Sequence, residues 1–189
     1  MSKKWIVITP LLVFVLLCGF LLKGLFSDPR ELQSGRVNQP LPAFGLPDLM
    51  DPDKRWTNAD LQGQTYLLNV WGTWCPTCLA ELGYLTELRE QGVSIVGLYY
   101  EQGYDPDFDG QFNLAALQQE VRDMLARAGD PYQFNMLDLD RQFLLDLGVS
   151  GAPETFLINS EGKVLVHHTG DINQRVWRAK FAPLMQEAQ

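Results

Sequence analysis

The chain is poor in metal-ligating residues. Its 189 residues include two histidines and three cysteines. A structural zinc site takes about four ligands, usually two cysteine pairs or cysteines with histidines. The two histidines, His167 and His168, are neighbours in the β-rich run VLVHH (164–168). Adjacent strand residues point to opposite faces. The pair therefore does not ligate one ion without a kink, and no metal site is expected. Basic residues are scarce as well, with 15 Lys and Arg against 23 Asp and Glu. From Glu31 onward the balance is 11 against 22, a net charge of −11. An acidic surface does not suit a phosphate backbone, so nucleic-acid binding is not expected. The chain shows no internal repeat. With 46% hydrophobic and 20% charged residues, its composition excludes wholesale disorder.

Charge is missing altogether from WIVITPLLVFVLLCGFLL, Trp5 to Leu22. As a helix this run spans roughly 27 Å, close to the hydrocarbon core of a bilayer. Pro10 is tolerated in a membrane helix. No small-x-small cleavage site follows, since Gly19-Phe20-Leu21 and Leu22-Lys23-Gly24 match poorly; that argues against a cleaved signal peptide. Cys18 sits behind the bulky Leu17 with more apolar residues after it, which argues against lipid attachment. It reads as a buried small hydrophobe. An uncleaved signal anchor is favoured. Lys3 and Lys4 precede the span, while Lys23 and Arg30 after it are offset by Asp28 and Glu31. That bias predicts residues 1–4 in the cytoplasm, a transmembrane anchor over 5–22, a tether over 23–40 and a domain over 41–189 outside. In a bacterium this is the inner membrane and the periplasm, where free thiols are normally oxidised.

The domain alternates two periodicities. Phe44 to Trp56 is rich in turn residues and predicts a short hairpin. Thr65–Trp71 and Val93–Tyr100 are near-continuous apolar runs of the kind that form buried strands. Between them, Pro76–Gln91 predicts a helix with Leu79, Leu82, Leu85 and Leu88 on its apolar side and Gly92 as its stop. Leu114, Leu117, Val121, Met124 and Leu125 line a second helix. Phe134–Leu137 reads as a strand and Asp140–Leu147 as a short helix. Residues 155–158 and 164–168 form a hairpin around Asn159-Ser160-Glu161-Gly162. Val176, Trp177, Phe181, Leu184 and Met185 line a last helix. Strands alternating with helices and closed by an antiparallel pair describe an α/β fold, a mixed sheet covered on both faces. Glu101–Gly110 is an acidic insert and reads as a solvated loop.

Chemistry concentrates in WGTWCPTC, Trp71 to Cys78. A disulfide closing so short a loop removes little chain entropy and stabilises weakly. Redox chemistry fits better. Cys75 falls at a strand-to-helix turn, where unpaired N–H groups and the helix dipole lower a thiol pKa. Cys78 falls one turn later and is partly shielded. That asymmetry gives an exposed attacking thiolate and a resolving thiol. Pro76 suits the first helical turn. A CxxC that follows a strand and opens a helix is a thioredoxin-like signature. In that fold a cis-proline packs against the CxxC and holds out a backbone edge for a substrate strand. Pro153, before the fourth main strand, matches that position.

WGTWCPTC, GVSGAPETF (148–156) and GDINQRVW (170–177), behind an apolar N-terminus, resemble the CcmG/DsbE family, thioredoxin-like reductases of cytochrome c maturation. The resemblance runs from Pro40 to the end. It implies a thioredoxin-like fold and a disulfide-exchange activity that needs no cofactor beyond the Cys75–Cys78 couple. It implies a DsbD- or CcdA-like membrane electron donor, and delivery of electrons to the haem-binding cysteines of apocytochrome c, directly or through a CcmH-like protein. Trp74, Pro76, Thr77, Ala152 and Pro153 would form the substrate groove. Asn69 occupies the place of the buried aspartate of most thioredoxins. Glu81 and Glu154 match family glutamates that would raise the thiol pKa and favour reduction of substrates. Glu81 lies three residues after Cys78 on the same helix face; the alternative for it is a solvated helix acid. Gly72 stands where many relatives have alanine, and Ser150 where some have an aromatic. The rival functions are a broader TlpA- or ResA-like reductase, a copper chaperone on the same fold, and a peptide-binding scaffold without chemistry.

Overall fold

The structure, a computed structural model, describes residues 3–25, 35–104 and 110–187, with side chains over 9–22, 35–104 and 110–185. Contacts divide the chain into two units, Met1–Gln33 and Ser34–Gln189. The first contains helix α1, Lys3–Leu25, with Pro10 inside it. Among the described residues no helix is long and apolar enough to cross a membrane. Part of the expected tether (26–34) and the middle of the acidic insert (105–109) lie outside the described residues.

The second unit is built on Tyr66–Trp71 (β3), in which all six residues are buried. It is the central strand of a five-stranded sheet. Ile95–Tyr99 (β4) pairs with it in parallel and Glu154–Ile158 (β6) pairs antiparallel on its other side. Asn135–Leu137 (β5) extends the sheet beyond β4 in parallel, and Val164–Thr169 (β7) beyond β6 antiparallel, giving the order β5-β4-β3-β6-β7. Gly45–Pro47 (β1) and Arg55–Thr57 (β2) form the expected small hairpin. Asn58–Leu61 (α2) is a single turn with Thr57 and Asp60 in a capping box.

The alternation of β3 assigns the two faces. Leu67 and Trp71 pack with Leu82, Leu85 and Leu88 of Pro76–Glu90 (α3), and with Leu117, Val121 and Leu125 of Leu114–Ala128 (α4). Tyr66, Leu68 and Val70 pack on the other side with Phe143, Leu144 and Leu147 of Gln142–Leu147 (α5). Asn69 shares the parity of Leu67 and Trp71, so this buried polar residue points to the α3 face.

Three local expectations change. Leu79 is 43% exposed, and Cys78 and Glu81 are buried on α3 instead. The core stripe therefore begins at Cys78 and has a carboxylate in it. The C-terminal segment consists of Gln174–Val176 (α6), a π-helical turn Trp177–Phe181 and Ala182–Glu187 (α7). Val176 and Phe181, both buried, are five residues apart, and one wide turn brings both onto the core. Residues 36–40, expected in the tether, pack with the domain as Leu41 does. Asn38 N–H donates to the Val164 carbonyl (2.8 Å), Val164 N–H to Gln39 (3.0 Å) and Leu41 N–H to Gly162 (2.8 Å). They dock along the outer edge of β7, and an edge strand's open backbone groups are what draw them there.

Truncating Leu82 to alanine is expected to cost about 3 kcal/mol by cavity creation. Truncating Leu79 is expected to cost less than about 0.5 kcal/mol. Denaturant midpoints of the two variants check this, and equal losses would contradict the placement of the stripe.

Candidate active site

Strand β3 ends at Trp71, and the chain turns through Gly72-Thr73-Trp74 into α3. Cys75 N–H donates to the Gly72 carbonyl (3.2 Å), which closes the turn. Cys75 is then the N-cap of α3, with Pro76 as the first helical residue. Its Sγ accepts the Cys78 N–H at 3.1 Å. A sulfur at a helix N-cap takes one of the donors that the first turn leaves unpaired. In the thiolate form that bond and the dipole favour the charge. The two sulfurs are joined as a disulfide, with Cα atoms 5.3 Å apart. Cys75 is 4% exposed and Cys78 1%. Both sulfurs are buried, so Cys75 is not open as expected. Pro76 and Thr77 beside it are exposed.

Trp74 covers the turn. Its Nε1 donates to the Tyr100 carbonyl (2.9 Å) and its ring meets Tyr100 edge-on at 4.9 Å. A Cβ on Gly72 would lie 2.3 Å from that Nε1. Gly72 is thus not interchangeable with alanine here, because the indole occupies the space a methyl needs.

The Ala152–Pro153 peptide is cis. The register pairs Val70 with Glu154, so Pro153 and Ala152 fall beside the end of β3, where the CxxC turn begins. Gly170 N–H donates to the Pro153 carbonyl (2.9 Å), and Ala152 packs against both apolar clusters. The structure thus gathers Trp74, Cys75, Pro76, Thr77, Ala152 and Pro153 at one end of the sheet.

The two glutamates part company. Glu81 is 2% exposed, which overturns its reading as a solvated acid. Its Oε1 accepts from Asn69 Nδ2 (2.9 Å) and its Oε2 from Ile172 N–H (2.7 Å). Asn69 also donates to Thr155 Oγ1 (3.0 Å) and accepts from the Tyr132 hydroxyl (2.7 Å). Burial pushes the Glu81 carboxyl up to about 7 against the opposing effect of the Ile172 and Asn69 bonds. It lies one turn after Cys78 on α3.

Glu154 corrects the other expectation. Thr155 and Leu157 face the cysteine side, so Glu154 turns with Phe156 and Ile158 to the opposite face. Burial pushes its carboxyl up, but bonds from His167 and Ser150 outweigh that and hold it below the ordinary carboxylate range. Its carboxylate is turned from the α3 side of the sheet. Tyr132, Thr155 and His167 are residues that sequence reasoning did not assign to the site. Their partners lie 63, 86 and 13 positions away, too far along the chain for local spacing to signal them. His168 lies on the other side of β7 from His167, with its Nε2 3.3 Å from the Asp171 carbonyl. Among the described residues no group of three or more His, Cys, Asp or Glu is arranged to hold a metal ion.

Comparison with known proteins agrees with this geometry. A sequence profile of the Redoxin family matches residues 36–182. The thiol:disulfide interchange protein DsbE of Pseudomonas aeruginosa is 43% identical over 185 residues, covering 98% of this chain and 95% of that protein. DsbE of Escherichia coli K12 is 38% identical over 192 residues, covering 98% and 96%. Among solved structures, a putative DsbE from Chlorobium tepidum aligns with a TM-score of 0.57 at 22% identity, over 80% of this chain and 94% of that one. A putative thioredoxin from Neisseria meningitidis aligns with a TM-score of 0.52 at 27% identity, over 78% and 85%. The expected thioredoxin-like fold with its mixed central sheet is the observed one.

The raised carboxyl of Glu81 makes stability depend on pH. A folded-state value of about 7 against 4.5 in the unfolded chain means its favourable contribution is full below about 4.5 and lost as pH rises through about 7. Relative to Glu81→Gln, the native protein should lose about 3 kcal/mol across that window, at about 1.4 kcal/mol per pH unit. Denaturant unfolding of both proteins at pH 4.5, 6 and 8 checks this. A constant difference would contradict it.

Proposed function

The chain belongs to the DsbE family of thiol:disulfide interchange proteins, within the wider Redoxin family, and from that premise we propose that its dithiol form reduces the haem-binding cysteines of apocytochrome c, directly or through a CcmH-like protein. The observation that carries the activity is the sulfur at the start of α3: Cys75 Sγ accepts the Cys78 N–H at 3.1 Å, so the first thiol is held at a helix N-terminus with the second one turn behind it. The Cys75 thiolate attacks one sulfur of the substrate disulfide. A mixed disulfide forms and the other substrate sulfur leaves as a thiolate that takes a proton from solvent. Cys78 then loses its proton and attacks Cys75 Sγ, releasing the second substrate thiolate. Two electrons pass to the substrate, and the Cys75–Cys78 disulfide remains.

Glu81 is the group we assign to the Cys78 proton, because it is the buried carboxylate on the same helix face and its affinity for a proton is near neutral. Trp74, Pro76 and Thr77 on one side, and Ala152 and Pro153 on the other, form the groove for an extended peptide. No cofactor is required beyond the cysteine couple. A DsbD- or CcdA-like membrane protein returns the disulfide to the dithiol. The apolar run 5–22 anchors the chain in the inner membrane of a bacterium, with the domain in the periplasm. Support for the anchor is the charge-free stretch and the lysine bias before it.

Cys78→Ser leaves the mixed disulfide unresolved. Adducts isolated from cells and identified by mass spectrometry are expected to be apocytochrome c, its maturation partners and the membrane donor. A wide scatter of periplasmic proteins would mean a general reductase instead.

A further inference from the structure

On the face of the sheet opposite the cysteines one buried histidine has no part in the exchange chemistry. His167 on β7 pairs in register with Phe156 on β6, and their rings stack at 4.0 Å and 18°. Its Nε2 lies 2.5 Å from Glu154 Oε2, with the two side chains 8% and 0% exposed. Its Nδ1 is buried with no hydrogen-bond partner among the described residues. An ionised carboxylate only accepts, so Nε2 carries the proton that meets Glu154, and the tautomer follows from that partner. A buried polar atom left unpaired is costly. The arrangement thus accepts a local penalty to place one donor on one carboxylate oxygen.

The other oxygen shows what that donor serves. Glu154 Oε1 accepts Ser150 N–H (2.8 Å), the Ser150 hydroxyl and Gly151 N–H (3.0 Å). These donors open the loop that ends in the cis Ala152–Pro153 peptide. Three donors crowd Oε1, and His167 is the one donor on Oε2. The charge of Glu154 is committed to shaping the loop.

We propose that His167 is a positioning residue for peptide-disulfide substrates: by holding Glu154 Oε2 it keeps Oε1 turned to Ser150 and Gly151 and so fixes the Ala152–Pro153 edge against which the peptide docks. This rests on the reading above that this edge is part of the groove. The effect belongs to docking, not to the thiols, because His167 and Glu154 lie across the sheet from Cys75 and Cys78.

The test uses the full-length protein and three variants. His167→Phe keeps a ring on Phe156 and removes the donor. His167→Gln puts an amide nitrogen near the place of Nε2, and His167→Asn near that of Nδ1. Each is assayed for reduction of a disulfide-bonded Cys-x-x-Cys-His peptide, for reduction of the small disulfide dithiobis(nitrobenzoate), and for its equilibrium potential. His167→Phe and His167→Asn should raise KM for the peptide about tenfold, the size expected from losing one charge-assisted hydrogen bond. Their kcat, small-disulfide rate and potential should match the native protein, and His167→Gln should recover most of the native KM. If His167→Phe fails to fold, the Gln and Asn pair carries the test. Equal KM values for Gln, Asn and native protein would overturn the proposal. So would a change in small-disulfide rate or potential as large as the change in KM. If the native protein ignores the Cys-x-x-Cys-His peptide but reduces another peptide disulfide, the apocytochrome reading fails, and the His167 comparison is made on that other peptide.

Discussion

The structure around the site depends on one unusual cap. At the start of α3 the side chain that satisfies a backbone N–H is a sulfur, Cys75 Sγ, and the donor belongs to Cys78. The bond ties the two reacting residues through the helix's own first turn. Strand β3 fixes where that turn begins, and β3 is central and buried on both faces. Pro76 starts the helix without leaving an unpaired donor, and Gly72 leaves room for the indole that closes the turn. The geometry of the thiols is therefore set from the central, fully buried strand of the sheet.

A buried polar cluster lies behind that cap. Asn69 joins Glu81, Thr155 and Tyr132 from the middle of β3, and Ile172 closes the second oxygen of Glu81. Such a cluster is costly to leave unsatisfied and is stable when complete. It holds a carboxylate of near-neutral proton affinity on the cysteine face. Glu154, only one strand away, is held in its ionised form by His167 and Ser150 on the other face. The sheet thus separates two acids into two tasks, one for protons and one for shape. Period-two alternation along β3 and β6 makes that separation.

Much of this was legible in the chain itself. WGTWCPTC announces a strand end and a helix start within eight letters, and the proline before β6 is marked by its place at a strand start. The residues that support them were not, since their contacts are long-range. Ile172 and Glu81 are separated by 91 positions and Asn69 and Thr155 by 86, and no local spacing records such a pair. Leu79 and Glu81 show the same limit on one helix. Helical periodicity assigned Leu79 to the core and left a solvated Glu81 open, and Asn69 and Ile172 close that alternative by offering donors to a buried carboxylate. The docking of residues 36–41 on β7 was hidden because polar, proline-containing segments read as linkers until an open strand edge is known to be beside them.

This cysteine couple, held at the start of α3 with a buried glutamate one turn after Cys78, is proposed to work as a reductant. The reduction potential of the Cys75–Cys78 disulfide tests this, by equilibrating the purified protein in a dithiothreitol redox buffer at pH 7. A carboxylate on the cysteine face opposes the helix terminus, and the expected potential is near the about −270 mV of thioredoxin. A potential near the about −120 mV of DsbA would mean that the reduced form is strongly stabilised and that the protein is an oxidant.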